Sequence, residues 1–163
     1  MLKLQGSCRC GAVRFSVETQ APCPYQLCYC SICRKTAGGG GYAINLSGVA
    51  STLAVEGADH LGLFRALLEA EDAVPRTSSA ERRFCTGCGT PLWLFDPTWP
   101  ELVHPFASAV DSELPKPPAK THIMLRFKAN WVEPEIAPGD LCFDEYPQQS
   151  IEDWHREHGL WLD

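Results

Sequence analysis

Residues 83–92 have the sequence Arg-Phe-Cys-Thr-Gly-Cys-Gly-Thr-Pro-Leu, with Cys85 and Cys88 at its centre. Two cysteines separated by two residues can bracket a tight turn and direct both thiolates at one metal ion. Gly87 and Gly89 lie on either side of the second cysteine, and their conformational freedom lets backbone N–H groups approach the sulfurs. This stretch therefore predicts half of a tetrahedral metal site.

A second cysteine pair, Cys8 and Cys10, lies near the start of the chain between Gly6 and Gly11. Four sulfurs complete a tetrahedron, so the two pairs together predict a closed site that joins the start of the chain to its middle. Such a site is structural, and in small zinc peptides it contributes on the order of 10 kcal/mol to folding. Four core thiols without metal are the alternative, which paired motifs of this kind disfavour.

The third cluster, Cys28-Tyr29-Cys30-Ser31-Ile32-Cys33, holds three cysteines in six residues. Three protein ligands and one exchangeable position are typical of a catalytic zinc. Arg34 and Lys35 follow directly, where they could offset the charge of three thiolates or bind a carboxylate of the substrate. Another basic pair, Arg82-Arg83, precedes Cys85. A second structural zinc, completed by Cys23 or a histidine, is the alternative for this cluster, and an empty cluster is another.

Composition limits the class of protein. The 163 residues are 45% hydrophobic, which fits one globular domain over residues 1–163. A net charge of −6 and a pI near 5.3 argue against a nucleic-acid partner. No segment has the length of a membrane helix, and the N-terminus lacks a secretory pattern. We therefore expect a cytoplasmic protein with reduced thiols, and nine cysteines could not all pair in any case.

The hydrophobic pattern predicts a mainly β fold of antiparallel strands, stapled by zinc, with one short C-terminal helix. Residues 61–71 are ambiguous between helix and strand, 96–120 form a loop-rich connection, and the glycines at 38–41 favour a turn over a ligand cradle. Ser150 is the expected N-cap of the helix, which ends near Gly159. The predicted strands are 12–19, 42–46, 81–84, 91–95 and 121–127.

Several isolated residues have simple interpretations. Cys23 and Cys142 are expected to be ordinary buried or half-buried thiols. His155 and His158 could share a metal, but surface histidines three apart on a helix usually do not. His122 is expected to make a structural hydrogen bond or to take part in catalysis.

The strings GSCRCGAVRF (6–15), CYCSICRKTAGG (28–39) and RFCTGCGTPL (83–92) resemble, in order and spacing, the glutathione-dependent formaldehyde-activating (Gfa) family, which includes centromere protein V. The resemblance covers roughly residues 5–146 and extends to 121–123 and 130–131. It implies a β-tent fold with little helix. It also implies a structural zinc on Cys8, Cys10, Cys85 and Cys88 and a catalytic zinc on Cys28, Cys30 and Cys33.

Two departures from the family concern the substrate. Tyr29 stands where the family commonly has histidine, and the tail 147–163 lies beyond the resemblance. Trp154 and Trp161 in that tail could pack on the sheet or on a partner subunit, which leaves a homo-oligomer open.

The resemblance implies a carbon–sulfur lyase with two zinc ions per chain, similar to S-(hydroxymethyl)glutathione synthase. Its partners would be a small thiol such as glutathione and formaldehyde or another small aldehyde, with no nucleic acid and no membrane. Two further hypotheses stay open. One is a non-catalytic zinc module that binds a protein or a thiol, and the other is a redox or metal sensor that uses the central cysteines.

Overall fold

The computed structural model describes residues 1–68 and 74–163. Within these ranges the chain is mainly β, as expected, with two helices, α1 (Ser31–Ala37) and α2 (Ile151–Glu157). The strands in chain order are β1 (Leu2–Ser7), β2 (Arg14–Thr19), β3 (Gln26–Cys28), β4 (Ala43–Ile44), β5 (Gly48–Val49), β6 (Ala54–Glu56), β7 (Leu61–Phe64), β8 (Leu67–Leu68), β9 (Arg76–Thr77), β10 (Glu81–Cys85), β11 (Pro91–Phe95), β12 (Leu102–Pro105), β13 (Thr121–Ile123) and β14 (Leu141–Cys142).

Two antiparallel sheets enclose the main core. One has the order β1-β2-β6 and the other β5-β12-β11-β10-β7, while β8 and β9 form a separate hairpin. The alternation of side chains along β2 directs Phe15 and Val17 into the core. There the rings of Phe15 and Trp93 pack edge to face, with their centroids 5.4 Å apart. Cys8 and Cys85 belong to this core cluster. The core therefore extends to the first two cysteine pairs.

A third sheet has the order β14-β13-β3-β4, and its strand β3 ends at Cys28, the first of the central cysteines. Its strand β13 runs parallel to both β3 and β14, whereas β3 and β4 are antiparallel. The predicted antiparallel pairing is therefore confirmed in the other sheets, and β13 is the strand that departs from it. β13 ends at Ile123 because Met124 adopts a left-handed conformation with φ 61°, so the predicted strand 121–127 is shorter than its alternation suggested.

Helix α1 was missed by the sequence analysis, which predicted one helix. It begins at Cys30, whose sulfur accepts a hydrogen bond from the Cys33 N–H at 3.3 Å, so a cysteine acts as the N-cap. It ends at Gly38, where any side chain would collide with the carbonyl of Tyr42. Gly41 has φ +91° and packs against Val132. The glycines thus form the predicted turn that leads the chain from α1 into β4.

Helix α2 forms as predicted. The Ser150 hydroxyl accepts from the Asp153 N–H at 3.0 Å, and Gly159 follows the helix with φ +67°. Trp154 is buried, and its ring stacks on that of Tyr25 with the centroids 3.7 Å apart. The tail therefore packs on the segment that precedes β3 of the same chain.

The remaining expectations for the elements are mostly confirmed. Strands β2, β10 and β11 fall within or next to the predicted stretches, and the loop-rich stretch 96–120 contains the short strand β12. The ambiguous stretch 61–71 begins with strands β7 and β8, while residues 69–71 lie outside the described residues. No helix in the described ranges has the length and apolar character needed to cross a membrane.

Candidate metal centres

The first two cysteine pairs meet as predicted. The sulfurs of Cys8, Cys10, Cys85 and Cys88 all lie within 4.8 Å of one another. The Sγ atoms of Cys8 and Cys10 are 3.5 Å apart, and those of Cys10 and Cys85 are 3.7 Å apart. Cys8 and Cys85 are buried whereas Cys10 and Cys88 are exposed. The group therefore lies at the rim of the main core.

Backbone and hydroxyl groups stabilise negative charge at this four-sulfur group. The Val13 N–H donates to the Cys8 sulfur at 3.2 Å. The hydroxyl of Thr90 lies 3.1 Å from the Cys88 sulfur and lowers the pKa of that thiol to about 5. Hydrogen bonds to sulfur favour the thiolate, which is the form that binds a metal. This chemistry fits a tetrahedral ion with four sulfur ligands.

The triplet of Cys28, Cys30 and Cys33 is brought together by the junction of β3 and α1. Its three sulfurs lie within 4.8 Å of one another, and no fourth Cys, His, Asp or Glu side chain joins them in the described ranges. Cys28 and Cys33 are buried, and Cys30 is partly exposed. Hydrogen bonding with Cys28 lowers the pKa of Cys30, while the same contact raises that of Cys28. Three convergent sulfurs fit a metal ion that keeps one position for another ligand.

Two polar side chains from other elements contact the triplet. The Nη2 of Arg82, on β10, donates to the Cys33 sulfur at 3.8 Å, and the Nδ2 of Asn45 donates to the same sulfur at 3.9 Å. Arg82 is only 8% exposed. A buried guanidinium beside sulfur offsets the charge of the thiolates. Arg34 and Lys35 were expected to offset this charge or to bind a substrate carboxylate, and among the described residues Arg82 is the basic residue that donates to a triplet sulfur.

Unsatisfied buried polar atoms are concentrated around the triplet. Five such side-chain atoms occur in the described residues, and three of them are Arg34 Nε, Asn45 Oδ1 and Arg82 Nη1. Arg34 follows Cys33 on α1, and the other two residues contact the Cys33 sulfur. A buried polar atom without a partner is costly, so these atoms make the surroundings of the triplet a candidate place for a ligand that supplies the missing partners.

Tyr29, which lies between Cys28 and Cys30 in the chain, is buried beside the triplet. Its hydroxyl lies 2.9 Å from His122 Nδ1, and His122 Nε2 lies 3.3 Å from a carboxylate oxygen of Asp140. The carboxylate can only accept, so Nε2 carries the proton and Nδ1 accepts from the Tyr29 hydroxyl. Burial raises the pKa of Tyr29 to about 12, which keeps it a donor. His122 thus makes the structural hydrogen bonds that were one of its two expected roles.

A strap formed by residues 141–146 passes beside the triplet. The Phe143 N–H donates to the His122 carbonyl at 2.8 Å, and the Phe143 ring packs against the cluster that contains Cys28 and Cys33. The Tyr146 side chain as a whole is exposed, but desolvation around its hydroxyl, and then the nearby triplet sulfurs, raise the pKa of Tyr146 to about 12. The segment after residue 140 therefore contributes to the surroundings of the triplet.

The other candidates belong to neither sulfur group. Cys23 is buried, as expected, and its N–H donates to His155 Nε2 at 3.1 Å. His155 Nδ1 lies 2.7 Å from the Ile151 carbonyl, so both of its nitrogens are used. The expectation that His155 is a surface residue was wrong, because it is fully buried. Cys142 was expected to be at least half-buried but is exposed, and Lys35 is exposed on α1.

Comparisons with known proteins identify the family of the chain. A sequence model of the family described as "Glutathione-dependent formaldehyde-activating enzyme" matches residues 3–125. A Halomonas elongata protein named "Putative glutathione-dependent formaldehyde-activating enzyme" is 57% identical over 157 residues, which cover 96% of this chain and 97% of that protein. A crystal structure of a Rhodobacter sphaeroides protein superposes with a TM-score of 0.50 at 26% identity, covering 69% of this chain and 99% of the other. The chain therefore belongs to the glutathione-dependent formaldehyde-activating enzyme family.

Proposed function

We propose that this protein is a zinc-dependent carbon–sulfur lyase that catalyses the reversible addition of a thiol, glutathione or a close analogue, to formaldehyde or another small aldehyde. The observation that carries the proposal is the three-sulfur group of Cys28, Cys30 and Cys33, which no fourth protein ligand completes among the described residues. Family membership supplies the substrates. The protein would act in the cytoplasm, where thiols stay reduced.

The two sulfur groups would hold two zinc ions with different tasks. Cys8, Cys10, Cys85 and Cys88 would hold a structural ion, because four thiolates leave no position for a substrate. The triplet would hold the catalytic ion. When bound there, zinc acts as a Lewis acid and lowers the pKa of a thiol in its open position.

The side chains around the triplet would orient the two substrates. Arg82 and Asn45 hold the Cys33 sulfur from one side and limit the charge that three thiolates accumulate. Arg34, whose Nε is buried without a partner, and Lys35 would bind acidic groups of the thiol. Both follow the triplet on α1, so the thiol would extend along that helix.

The reaction needs no oxidant or reductant. A lone pair of the substrate sulfur forms a bond to the carbonyl carbon, and the carbonyl π electrons move to the oxygen. The proton lost by the thiol is returned to that oxygen, which gives a hydroxymethyl thioether from formaldehyde. The reverse reaction breaks the carbon–sulfur bond and releases both substrates. A buried guanidinium such as Arg82 stabilises negative charge that develops on the oxygen.

The test measures a rate, because a catalyst does not change the position of the equilibrium. Exchange between isotope-labelled formaldehyde and its glutathione adduct is followed by magnetisation-transfer NMR with and without zinc-loaded protein. The wild type is expected to accelerate the exchange, and Cys30→Ser to lose at least about 100-fold of that acceleration. Cys142→Ser changes an exposed cysteine outside both groups and controls for loss of a thiol.

The rival functions make different predictions in the same experiment. A non-catalytic zinc module would bind two ions but give no acceleration in any variant. A redox sensor would release zinc on mild oxidation and form a reversible disulfide within the triplet. Equal acceleration by folded Cys30→Ser and by the wild type would contradict a catalytic triplet.

A further inference from the structure

A cavity of about 310 Å³ opens between helix α1 and the strands of the five-stranded sheet. Its walls are mainly apolar and include the rings of Phe64, Phe84 and Phe106, with Thr36 on the α1 side. Ligand pockets in proteins commonly begin near this volume and have this kind of lining. The cavity is therefore large enough for an organic group of several carbon atoms.

Arg82 connects this cavity to the triplet. It lines the cavity and at the same time donates from Nη2 to the Cys33 sulfur at 3.8 Å. Its other terminal nitrogen, Nη1, is buried and has no hydrogen-bond partner among the described residues, although the side chain is only 8% exposed. Arg82 therefore contacts both the cavity and the triplet, and a ligand in the cavity would lie beside the side chain that holds the Cys33 sulfur.

We infer that this cavity binds the carbon substituent of an aldehyde larger than formaldehyde, one with an aromatic or branched apolar group, whose carbonyl oxygen accepts a hydrogen bond from Arg82. The inference rests on the proposed lyase reaction and names its substrate class. In this arrangement Arg82 is a catalytic residue, because it contacts the oxygen on which negative charge develops when sulfur attacks.

The volume of the cavity argues against formaldehyde as its best ligand. One molecule of liquid water occupies about 30 Å³, and formaldehyde is only slightly larger, so most of the cavity would remain unfilled. Filling an apolar space contributes favourable transfer free energy for each carbon atom that leaves water. An aldehyde with an apolar substituent gains this contribution and formaldehyde does not.

The character of the walls argues against the thiol as the occupant. A glutathione-like thiol carries several charged groups. The charged residues that line the cavity, Arg82 and Arg83, already contact Cys33 and Glu81, so this mainly apolar cavity would remove most of those groups from water without free partners. Those groups have matching charges at Arg34 and Lys35, which lie on α1. The cavity therefore fits the aldehyde better than the thiol. The chemical step is unchanged, since the carbon–sulfur bond forms, the π electrons move to oxygen and the thiol proton follows them.

The test compares two neighbouring residues of strand β7. Phe64 lines the cavity, whereas Leu63 is not among its lining residues, and both are 45% exposed, so replacing either is expected to leave the fold intact. The measured quantity is the ratio of kcat/KM for phenylacetaldehyde to that for formaldehyde, with glutathione and the zinc-loaded protein. We expect a wild-type ratio above one, a decrease of roughly tenfold in Phe64→Ala and no change in Leu63→Ala.

A binding measurement separates this inference from the proposed function. Phenylacetamide has the carbonyl and the apolar ring but does not react with thiols, and its binding is followed by ligand-observed NMR. We expect binding to the wild type and to Leu63→Ala, and weaker binding to Phe64→Ala and to Arg82→Lys. If phenylacetamide binds in this pattern while neither aldehyde is turned over, the proposed function fails and the aldehyde-sized site stands.

Two results would overturn the inference. The first is turnover of formaldehyde with no preference for phenylacetaldehyde, or the same ratio in Phe64→Ala and Leu63→Ala. In that case the lyase function stands without the apolar subsite. The second is the absence of both turnover and phenylacetamide binding, which contradicts both proposals. If Arg82→Lys does not fold, the two β7 variants still decide between these outcomes.

Discussion

At the scale of single residues, the hydroxyl of Tyr29 links the triplet to the third sheet. Tyr29 lies between Cys28 and Cys30 in the chain. Its hydroxyl donates to His122, and His122 in turn contacts Asp140. All three side chains have partners, so this buried chain of hydrogen bonds holds the backbone of the triplet in one position. Loss of one partner would leave a buried ring nitrogen unpaired.

Tyr29→Phe tests this chain of hydrogen bonds. The change removes the donor to His122 Nδ1, which is fully buried, so the free energy of unfolding is expected to fall by about 1–3 kcal/mol. Denaturant unfolding of the zinc-loaded protein measures the difference. The control is Tyr42→Phe on the neighbouring ring, 5.4 Å away. Equal stability of Tyr29→Phe and wild type would show that the hydrogen bond is unimportant.

Sequence reasoning was most successful for the cysteines and least successful for Arg82. Cysteine spacing carries its own geometry, because residues two or three apart must lie close together. Arg82 reaches the triplet only because β10 lies next to α1 in the folded chain, and no local pattern contains that information. The basic pair beside Cys85 was noticed, but its contact with a different cysteine cluster could not be derived.

At the scale of elements, helix α2 anchors the tail through His155. The Cys23 N–H donates to His155 Nε2, and the aromatic rings of Tyr25 and Trp154 pack around the imidazole. Burial lowers the pKa of His155 below its usual value of 6.5, and the nearby His158 acts in the same direction. The folded protein therefore holds this imidazole neutral while it accepts the Cys23 N–H.

This lowered pKa predicts how stability depends on pH. Between the lowered folded pKa and 6.5 the unfolded chain binds the proton and the folded chain does not, so stability falls as pH decreases below about 6.5. The stabilising contribution of His155 is fully present above that value. The advantage of wild type over His155→Gln in denaturant unfolding is therefore expected to shrink from about pH 7.5 to about pH 5.5.

Comparison of variants isolates this effect from protonation of the cysteines, which affects every variant equally. His60→Gln changes an exposed histidine outside α2, one that is not among the causes of the His155 shift, and serves as the control. Its difference from wild type is expected to stay constant between the two pH values. A constant difference for His155→Gln as well would contradict the role assigned to the buried imidazole.

The two helices show what local sequence can and cannot predict. Helix α2 has a serine cap, an aspartate three residues later and a terminal glycine, so it was predicted from local signals alone. Helix α1 is capped by the sulfur of Cys30 and is only seven residues long. Its N-cap position holds a cysteine where Ser, Thr, Asp or Asn is usual, and the helix is too short for an amphipathic pattern. It forms because the triplet and the following glycines determine where the chain turns.

At the scale of the whole molecule, the four-sulfur group joins segments that are distant in sequence. Cys10 and Cys85 are 75 residues apart, yet their sulfurs are separated by 3.7 Å. A metal ion at this place would link the β1–β2 hairpin to the turn between β10 and β11, and thus connect the two sheets that enclose the core. Structural zinc can contribute about 10 kcal/mol, comparable to the stability of an entire domain.

Cys85→Ser is therefore expected to unfold the protein or to lower its melting temperature severely, with the loss of one zinc equivalent. The removed thiol is fully buried and belongs to the core as well as to the metal group. Circular dichroism on heating and elemental analysis of the same sample measure both effects. Cys142→Ser is the control, and a stable Cys85→Ser protein that keeps its zinc would contradict the structural role.

The fold as a whole was predictable in class but not in arrangement. Cysteine spacing, strand alternation and the family resemblance indicated a mainly β chain stapled at the first two pairs. They did not indicate that β13 pairs in parallel with β3 and β14, because the pairing depends on how residues 96–120 return the chain. Nor did they indicate the apolar cavity. Its walls come from β7, β10, β11 and α1, and from Phe106, which follows β12.

Metal content tests the central claim most directly. The account assigns one ion to the four-sulfur group and one to the triplet, so wild type and Cys142→Ser should each bind two zinc ions per chain. Cys30→Ser should bind one and remain folded, because it changes only the triplet. Elemental analysis of the three proteins, prepared under reducing conditions with zinc supplied, gives these numbers. Two zinc ions in folded Cys30→Ser, or one in the wild type, would contradict the account.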